Sequence, residues 1–151
     1  MRISVWVWGI ILLWSLPLQA KIEVIDGDSL RVNGVEIRLE GIDAPEYHQE
    51  CYDEDNRPYP CGDEAYQALL NLAGDDTLCN QTKIDRYKRS VSVCVSQGKV
   101  LNEEMVRLGQ AVAYTQYTNA YVSAEQEARQ AKRGIWRGRF MNPELYRALM
   151  R

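Results

Sequence analysis

The chain has no Cys-x-x-Cys pair, no internal repeat and no low-complexity tract. The missing cysteine spacing argues against a structural zinc site. Histidine occurs once, at His48, two residues after Glu46, and reads as part of an acidic loop rather than as a base. No cysteine follows the N-terminal apolar run, so a lipoprotein attachment has no support. There is also no basic excess. The 18 basic residues face 21 acidic ones, a net charge of −3, whereas nucleic-acid proteins are more often basic.

One long apolar run is present. Arg2 is followed by Ile3 to Pro17, broken by Ser4, Gly9 and Ser15, and the run closes on Leu18-Gln19-Ala20. A short basic start, an apolar middle and a small terminal residue read as a secretory signal peptide over residues 1–20. The run is short for a membrane span, which needs about 20 apolar residues; an uncleaved anchor is the alternative. Residues 21–151 then form one domain, long enough for a real core and too short for two. The expectation is an exported monomer, periplasmic or secreted, with no membrane contact after signal cleavage and no stable protein partner.

Cys51, Cys61, Cys79 and Cys94 all follow this segment. An even number after an export signal reads as two disulfides. Three connectivities exist. The favoured pairs are Cys51–Cys61, tying an acidic loop with prolines, and Cys79–Cys94, joining adjacent strands. Each bridge adds on the order of 2–4 kcal/mol. Charge is unevenly placed. Residues 40–64 carry nine carboxylates against Arg57 alone, and residues 83–89 carry Lys83, Arg86, Lys88 and Arg89 against Asp85 alone. Such an acidic pole and basic strip are what holding a divalent cation beside a phosphate requires.

Residues 21–25, 29–32 and 35–39 have strand patterning, and Asn33-Gly34 between the last two marks a tight hairpin. Residues 41–62 form a long loop with Pro45, Pro58 and Pro60, functional or tied down at this length. A helix over 63–73 stops near Gly74, and strands over 77–84 and 90–95 flank the turn 85–89. Asn102 reads as the cap of a helix through Leu108, ended by Gly109. A short strand over 111–114, a helix over 123–132 and a last helix opened by Asn142-Pro143 complete the order. Five short strands with a helix after the third predict an α+β fold, an OB-fold-like five-stranded Greek-key β-barrel with three to four helices.

Three clusters could carry chemistry. In Asp26-Gly27-Asp28-Ser29, two carboxylates at i, i+2 share one side of an extended chain. In Arg38-Leu-Glu-Gly-Ile-Asp43-Ala-Pro45-Glu46, a proline stiffens a loop bearing two carboxylates, which can bind a hard cation and leave an oxygen free as a base. In Asp85-Arg86-Tyr87-Lys88-Arg89, basic residues interleaved with an aromatic suit a phosphate and a stacked base. Singly, each could be a solvated turn or loop. Their order resembles the staphylococcal nuclease (thermonuclease) family, whose pattern D-G-D-[ST], R-L-x-G-x-D-x-P-E, D-x-Y-G-R stands here as DGDS, RLEGIDAPE and DRYKR. The later stretches 101–109 and 131–136 resemble the family's following helix and its I-W ending.

The resemblance implies a Ca²⁺-dependent endonuclease that hydrolyses phosphodiester bonds of DNA and RNA, leaves 3′-phosphates and has little sequence preference. Asp28 and Asp43 would bind Ca²⁺ directly, Ala44 through its carbonyl, and Asp26 through water. Glu46 would orient or deprotonate the attacking water. Arg38 and Arg89 would grip the scissile phosphate. Arg86, Tyr87, Tyr114 and Tyr117 would contact the substrate. Lys88 departs from the pattern, standing where the family has glycine; if the turn needs positive φ, it strains the turn or moves Arg89. Residues 138–151 extend beyond the resemblance and would cover one end of the barrel. The alternatives are a catalytically inactive OB-fold module that binds nucleic acid or protein, and a disulfide-stapled domain with a calcium loop. The second alternative gives Arg38 and Arg89 no purpose.

Overall fold

The computed structural model describes residues 20–150; the expected signal segment, Ala20 apart, lies outside them. Ile22–Asp26 (β1), Ser29–Val32 (β2) and Val35–Leu39 (β3) form an antiparallel meander. Leu30 and Ile37 pair across β2 and β3 and face inward. The turn residues Asn33 and Gly34 have φ of 51° and 84°, the positive pair that an Asn-Gly hairpin turn requires.

The long loop contains structure that alternation could not reveal. Ile42–Asp43 (β4) pairs with a distant strand, and Cys51–Tyr52 (β5) pairs with Pro58–Tyr59 (β6). Helix α1 (Cys61–Leu72) follows, then Leu78–Ile84 (β7), Ser90–Ser96 (β8) and Lys99–Val100 (β9). Next come α2 (Leu101–Arg107), Val112–Ala113 (β10, the partner of β4), α3 (Val122–Gln130), a 3₁₀ turn at Gly134–Arg137 and α4 (Pro143–Leu149). The main sheet runs β1-β2-β3-β8-β7, with β9 beside β8, and only the β3–β8 pairing is parallel. Among the described residues, the α+β architecture with five principal strands and four helices is the expected one. The sheet stays open between β7 and β1, because β7 pairs with β8 alone. Polar and exposed residues from Asn80 to Lys83 leave β7 at the solvent edge.

The core lies where α1 and α2 cover the sheet. Leu30, Leu39, Leu69, Leu101, Met105 and Val106 are fully buried there. A smaller cluster of Cys51, Cys61, Val112 and Ile135, with Tyr59, Trp136 and Phe140 packed on it, fastens the long loop to the C-terminal segment. Both disulfides occur as expected, Cys51–Cys61 and Cys79–Cys94, and the second joins directly opposed residues of β7 and β8.

Two local expectations need correction. Asn102 does not cap α2, which begins one residue earlier after extended Val100. Asn102 is wholly buried. Its Oδ1 accepts the Cys94 N–H at 3.0 Å, and its Nδ2 donates to the carbonyls of Glu40 (2.9 Å) and Ser92 (3.1 Å). Gly74, where the helix was expected to stop, does not close it either. Helix α1 stops at Leu72 with Ala73 extended, and Gly74 gives its N–H to Ser96 Oγ. Asn142 behaves as read, its Oδ1 accepting the Glu144 N–H at 2.9 Å ahead of Pro143.

Candidate active site

A cleft of about 710 Å³ opens between the β3–β4 segment, the tip of the β7–β8 hairpin, the loop after β10 and α4. Arg38 and Asp43 form its floor. Arg38 Nη2 donates to Asp43 Oδ1 at 2.9 Å, and Nη1 donates to Asp28 Oδ1. One guanidinium thus bridges two carboxylates that are themselves almost wholly buried, at 2% and 1% exposure.

The DGD turn delivers Asp28 from below. Asp26 Oδ1 accepts the Asp28 N–H at 3.0 Å, and Asp28 Oδ2 accepts the Ala44 N–H at 2.7 Å. A β-carbon at Gly27 would lie 2.7 Å from the β-carbons of both Ala44 and Ala65. Only glycine therefore allows the turn to press against the Ala44 loop and α1 together. Burial raises the Asp28 carboxyl to about 6; Arg38 opposes this and Asp26 adds to it. Burial also works against the charge on Arg38, but Asp28 and Asp43 outweigh it and hold its pKa above the ordinary value.

Glu46 is positioned through its backbone. Its N–H binds Gln49 Oε1 at 3.1 Å and its carbonyl accepts the Gln49 N–H at 2.7 Å. Gln49, fully buried, also donates Nε2 to the Met141 carbonyl at 2.7 Å. The loop is thereby tied to the segment that leads into α4. Gly62 packs so closely on the Glu46 carbonyl that a β-carbon would collide with it.

Arg89 stands on the hairpin tip and is held by Asp85. Its Nε donates to Asp85 Oδ2 at 2.8 Å and its N–H to Oδ1 at 2.9 Å. The same Oδ1 accepts the Tyr87 N–H at 2.9 Å. Burial pushes the Asp85 carboxyl up, and the bonds from Arg89 prevail and leave it below its ordinary value. The guanidinium groups of Arg86 and Arg89 lie 5.7 and 5.5 Å from the Tyr87 ring centre. Lys88 has φ +65°, so the turn does adopt the left-handed conformation in which glycine is the favoured residue.

The Tyr114 and Tyr117 rings lie 5.0 Å apart on the far wall, tilted by 41°, and Lys83 Nζ sits 4.0 Å over the Tyr117 ring. Asp26, Arg38, Asp43, Glu46 and Arg89 thus share one cleft with Arg86, Tyr87, Tyr114 and Tyr117. Asp28 and Ala44 lie behind its floor, reached through Arg38 and the Ala44 N–H.

Sequence reasoning did not anticipate the fourth wall. Arg147 on α4 donates from Nη1 to Asp43 Oδ1 (2.8 Å) and Glu46 Oε1 (2.8 Å), and from Nη2 to Asp43 Oδ2 (3.0 Å). Burial disfavours its charge, but these carboxylates hold it far above an ordinary arginine. Its neighbour Glu144 accepts the Tyr114 hydroxyl at 3.0 Å. The spacing of Glu144, Arg147 and Ala148 places them on one helix face, the sole local signal, and it does not identify what the face meets.

Among the described residues, no three His, Cys, Asp or Glu side chains gather closely enough to cage an ion unaided. A cation here would rest on Asp28, Asp43, a main-chain carbonyl and water. Such an all-oxygen set suits a hard ion.

The model of staphylococcal nuclease homologues matches residues 36–138. The chain belongs to the staphylococcal nuclease family. It is 38% identical over 125 residues to a succinoglycan biosynthesis protein of Rhizobium meliloti, covering 80% of this chain and 65% of that protein. It is 31% identical over 122 residues to an uncharacterized endonuclease of Haemophilus influenzae, covering 76% and 64%. An uncharacterized endonuclease of Escherichia coli O157:H7 is 35% identical over 123 residues, covering 76% and 74%. The first two relatives thus extend well beyond the stretch they share with this chain. The nuclease-family match includes Arg38, Asp43, Glu46 and Arg89, but it begins after the Asp26–Asp28 turn and ends before α4.

Proposed function

We propose that this chain is a Ca²⁺-dependent endonuclease that hydrolyses phosphodiester bonds of DNA and RNA with little sequence preference and leaves 3′-phosphates. The observation that carries the reading is the presence of two guanidiniums, Arg38 and Arg89, and one partly exposed carboxylate, Glu46, in the lining of a single cleft. Phosphodiester hydrolysis builds negative charge on phosphoryl oxygens. Guanidiniums already aimed at that position stabilise the transition state more than the substrate, and their planar fork can hold two oxygens at once. Glu46 serves as the base or orienting group for water. Arg86, Tyr87, Tyr114 and Tyr117 supply charge and ring faces to flanking nucleotides, which favours unpaired strands.

Asp28, Asp43 and the Ala44 carbonyl would hold Ca²⁺, with Asp26 acting through water. The ion would add electrostatic stabilisation at the phosphate and lower the pKa of bound water. The reading also includes export after removal of residues 1–20. Two disulfides support an oxidising compartment, and no described helix is long and apolar enough to cross a membrane.

The test is digestion of single-stranded DNA by the oxidised chain with Ca²⁺, Mg²⁺ or a chelator. Glu46→Gln and Arg89→Ala are each expected to lower calcium-dependent cleavage by about 10²-fold or more. Binding without cleavage, unaffected by either substitution, would instead identify an inactive binding module.

A further inference from the structure

The contacts of Arg147 are not accounted for by the fold. Helix α4 is seven residues long, and Pro143 is its one buried residue. Leu145, Leu149 and Met150 project into solvent at 51%, 62% and 67% exposure. So short a helix has little stability of its own. It is attached through polar contacts: Asn142 at its start, Gln49 to the Met141 carbonyl, Glu144 to Tyr114, and Arg147 to the carboxylates. Arg147 nevertheless takes the most consequential position in the cleft. It covers both oxygens of Asp43 and one oxygen of Glu46. Arg38 already occupies Asp43 Oδ1 from the other side.

We propose that Arg147 is the resident cation of the carboxylate site, positioning Asp43 and Glu46 in the metal-free enzyme and yielding them to the divalent ion. This rests on the cation reading of the preceding section. An ion approaching Asp43 meets two oxygens that already accept three guanidinium bonds. Arg147 is the partner that can leave, because Arg38 is fixed within β3 and bridged to Asp28. The exchange has a second effect. While Arg147 binds Glu46, Oε1 of that carboxylate is occupied by the guanidinium and is not free to engage water. Release of the guanidinium from Asp43 also loosens its hold on Glu46, so arrival of the ion and availability of the base are linked. The buried Gln49, bonded to both the Glu46 backbone and Met141, keeps α4 tethered beside the cleft throughout. Helix α4 lies beyond the family match. Arg147 is thus a positioning residue that sets the cation concentration at which the site switches on.

The experiment is calorimetric titration of the full oxidised chain with Ca²⁺, for the native protein, Arg147→Gln and Arg147→Lys. Bonds to charged groups of this kind contribute enough that removing the competitor should tighten Ca²⁺ binding about tenfold or more. Arg147→Lys keeps the charge, loses the two-pronged grip and should fall between. The Ca²⁺ concentration for half-maximal cleavage should drop by the same factor, a change that a merely structural residue would not produce. If Arg147→Gln fails to fold without metal, Arg147→Lys decides the matter against the native chain. Unchanged or weaker Ca²⁺ binding in the variants, with native cleavage still calcium-dependent, overturns the exchange alone. Absence of Ca²⁺ binding and cleavage in the native chain overturns the cation reading and the exchange with it.

Discussion

Replacing Lys88 by glycine should stabilise the protein, and the structure sets the magnitude. Lys88 holds φ +65° at the tip of the β7–β8 hairpin, a conformation that places an L-residue's β-carbon against its own carbonyl at about 1–2 kcal/mol. Glycine removes that strain but adds about 0.5–1 kcal/mol of backbone entropy to the unfolded chain. The difference is a net gain of roughly 0.5–1 kcal/mol, a rise in Tm of about 2–4 °C for a domain of this size. The turn itself should not change. It is closed by Asp85 N–H to the Arg89 carbonyl and Lys88 N–H to the Asp85 carbonyl, both at 3.0 Å. The Asp85 side chain grips Arg89 independently of residue 88. Cleavage should therefore stay within about twofold of native. Thermal and urea unfolding of the oxidised chain, with a parallel cleavage assay, measure both parts. A loss of stability would show that the Lys88 side chain contributes more than its backbone strain removes. A large loss of cleavage would show that Lys88, not Asp85, sets the position of Arg89.

Other perturbations separate further causes. Removing the Cys51–Cys61 bridge with serines should lower stability by about 2–3 kcal/mol and weaken cleavage, since the bridge anchors the loop bearing Glu46; removing Cys79–Cys94 should lower stability by a similar amount and leave cleavage nearly unchanged, as paired denaturation and activity measurements would reveal. Asn102→Ala leaves the buried Cys94 N–H and the Glu40 carbonyl without their Asn102 partner, while the Ser92 carbonyl keeps the Glu40 N–H, and should destabilise by about 2–3 kcal/mol, read from urea midpoints. The Asp28 carboxyl is raised to about 6 from 3.8. The folded state therefore holds this proton more tightly than the unfolded state. Its contribution is present below about pH 4 and is lost as pH rises through 6. In chelator, native stability relative to Asp28→Asn should fall over that window by on the order of 3 kcal/mol, and a parallel pair of pH profiles would refute the assignment.

Local sequence carried the meander, the Asn33-Gly34 turn, the hairpin tip and the cap at Asn142, because each depends on backbone preferences within a few residues. The cleft was legible for a different reason: its carboxylates and arginines recur in a distinctive order. What escaped was set by contacts distant in sequence. Asn102 carries a cap residue's identity next to a helix start, yet the carbonyls it satisfies belong to Glu40 and Ser92. Gln49 looked like one polar loop residue among many, and its burial follows from the late arrival of Met141. Arg147 lies about a hundred residues from its carboxylates, and a charged residue on a short helix gives no sign of its target. The small strands β4, β5 and β6 have two residues each, too few for alternation to register.

The Asn102 amide also bears on how the chain comes together. The β3–β8 pairing spans only three residue pairs and joins segments separated by α1 and β7, so forming it requires closure of a long loop before any contact compensates the lost entropy. Asn102 binds both segments at once. Before β8 docks, its amide has no reason to leave water; afterwards it cannot be buried at acceptable energy unless all three partners are present. The meander and the α2-bearing half therefore gain little by folding separately. The side chain makes half-assembled forms of this small sheet costly and favours a single cooperative transition over a gradual one.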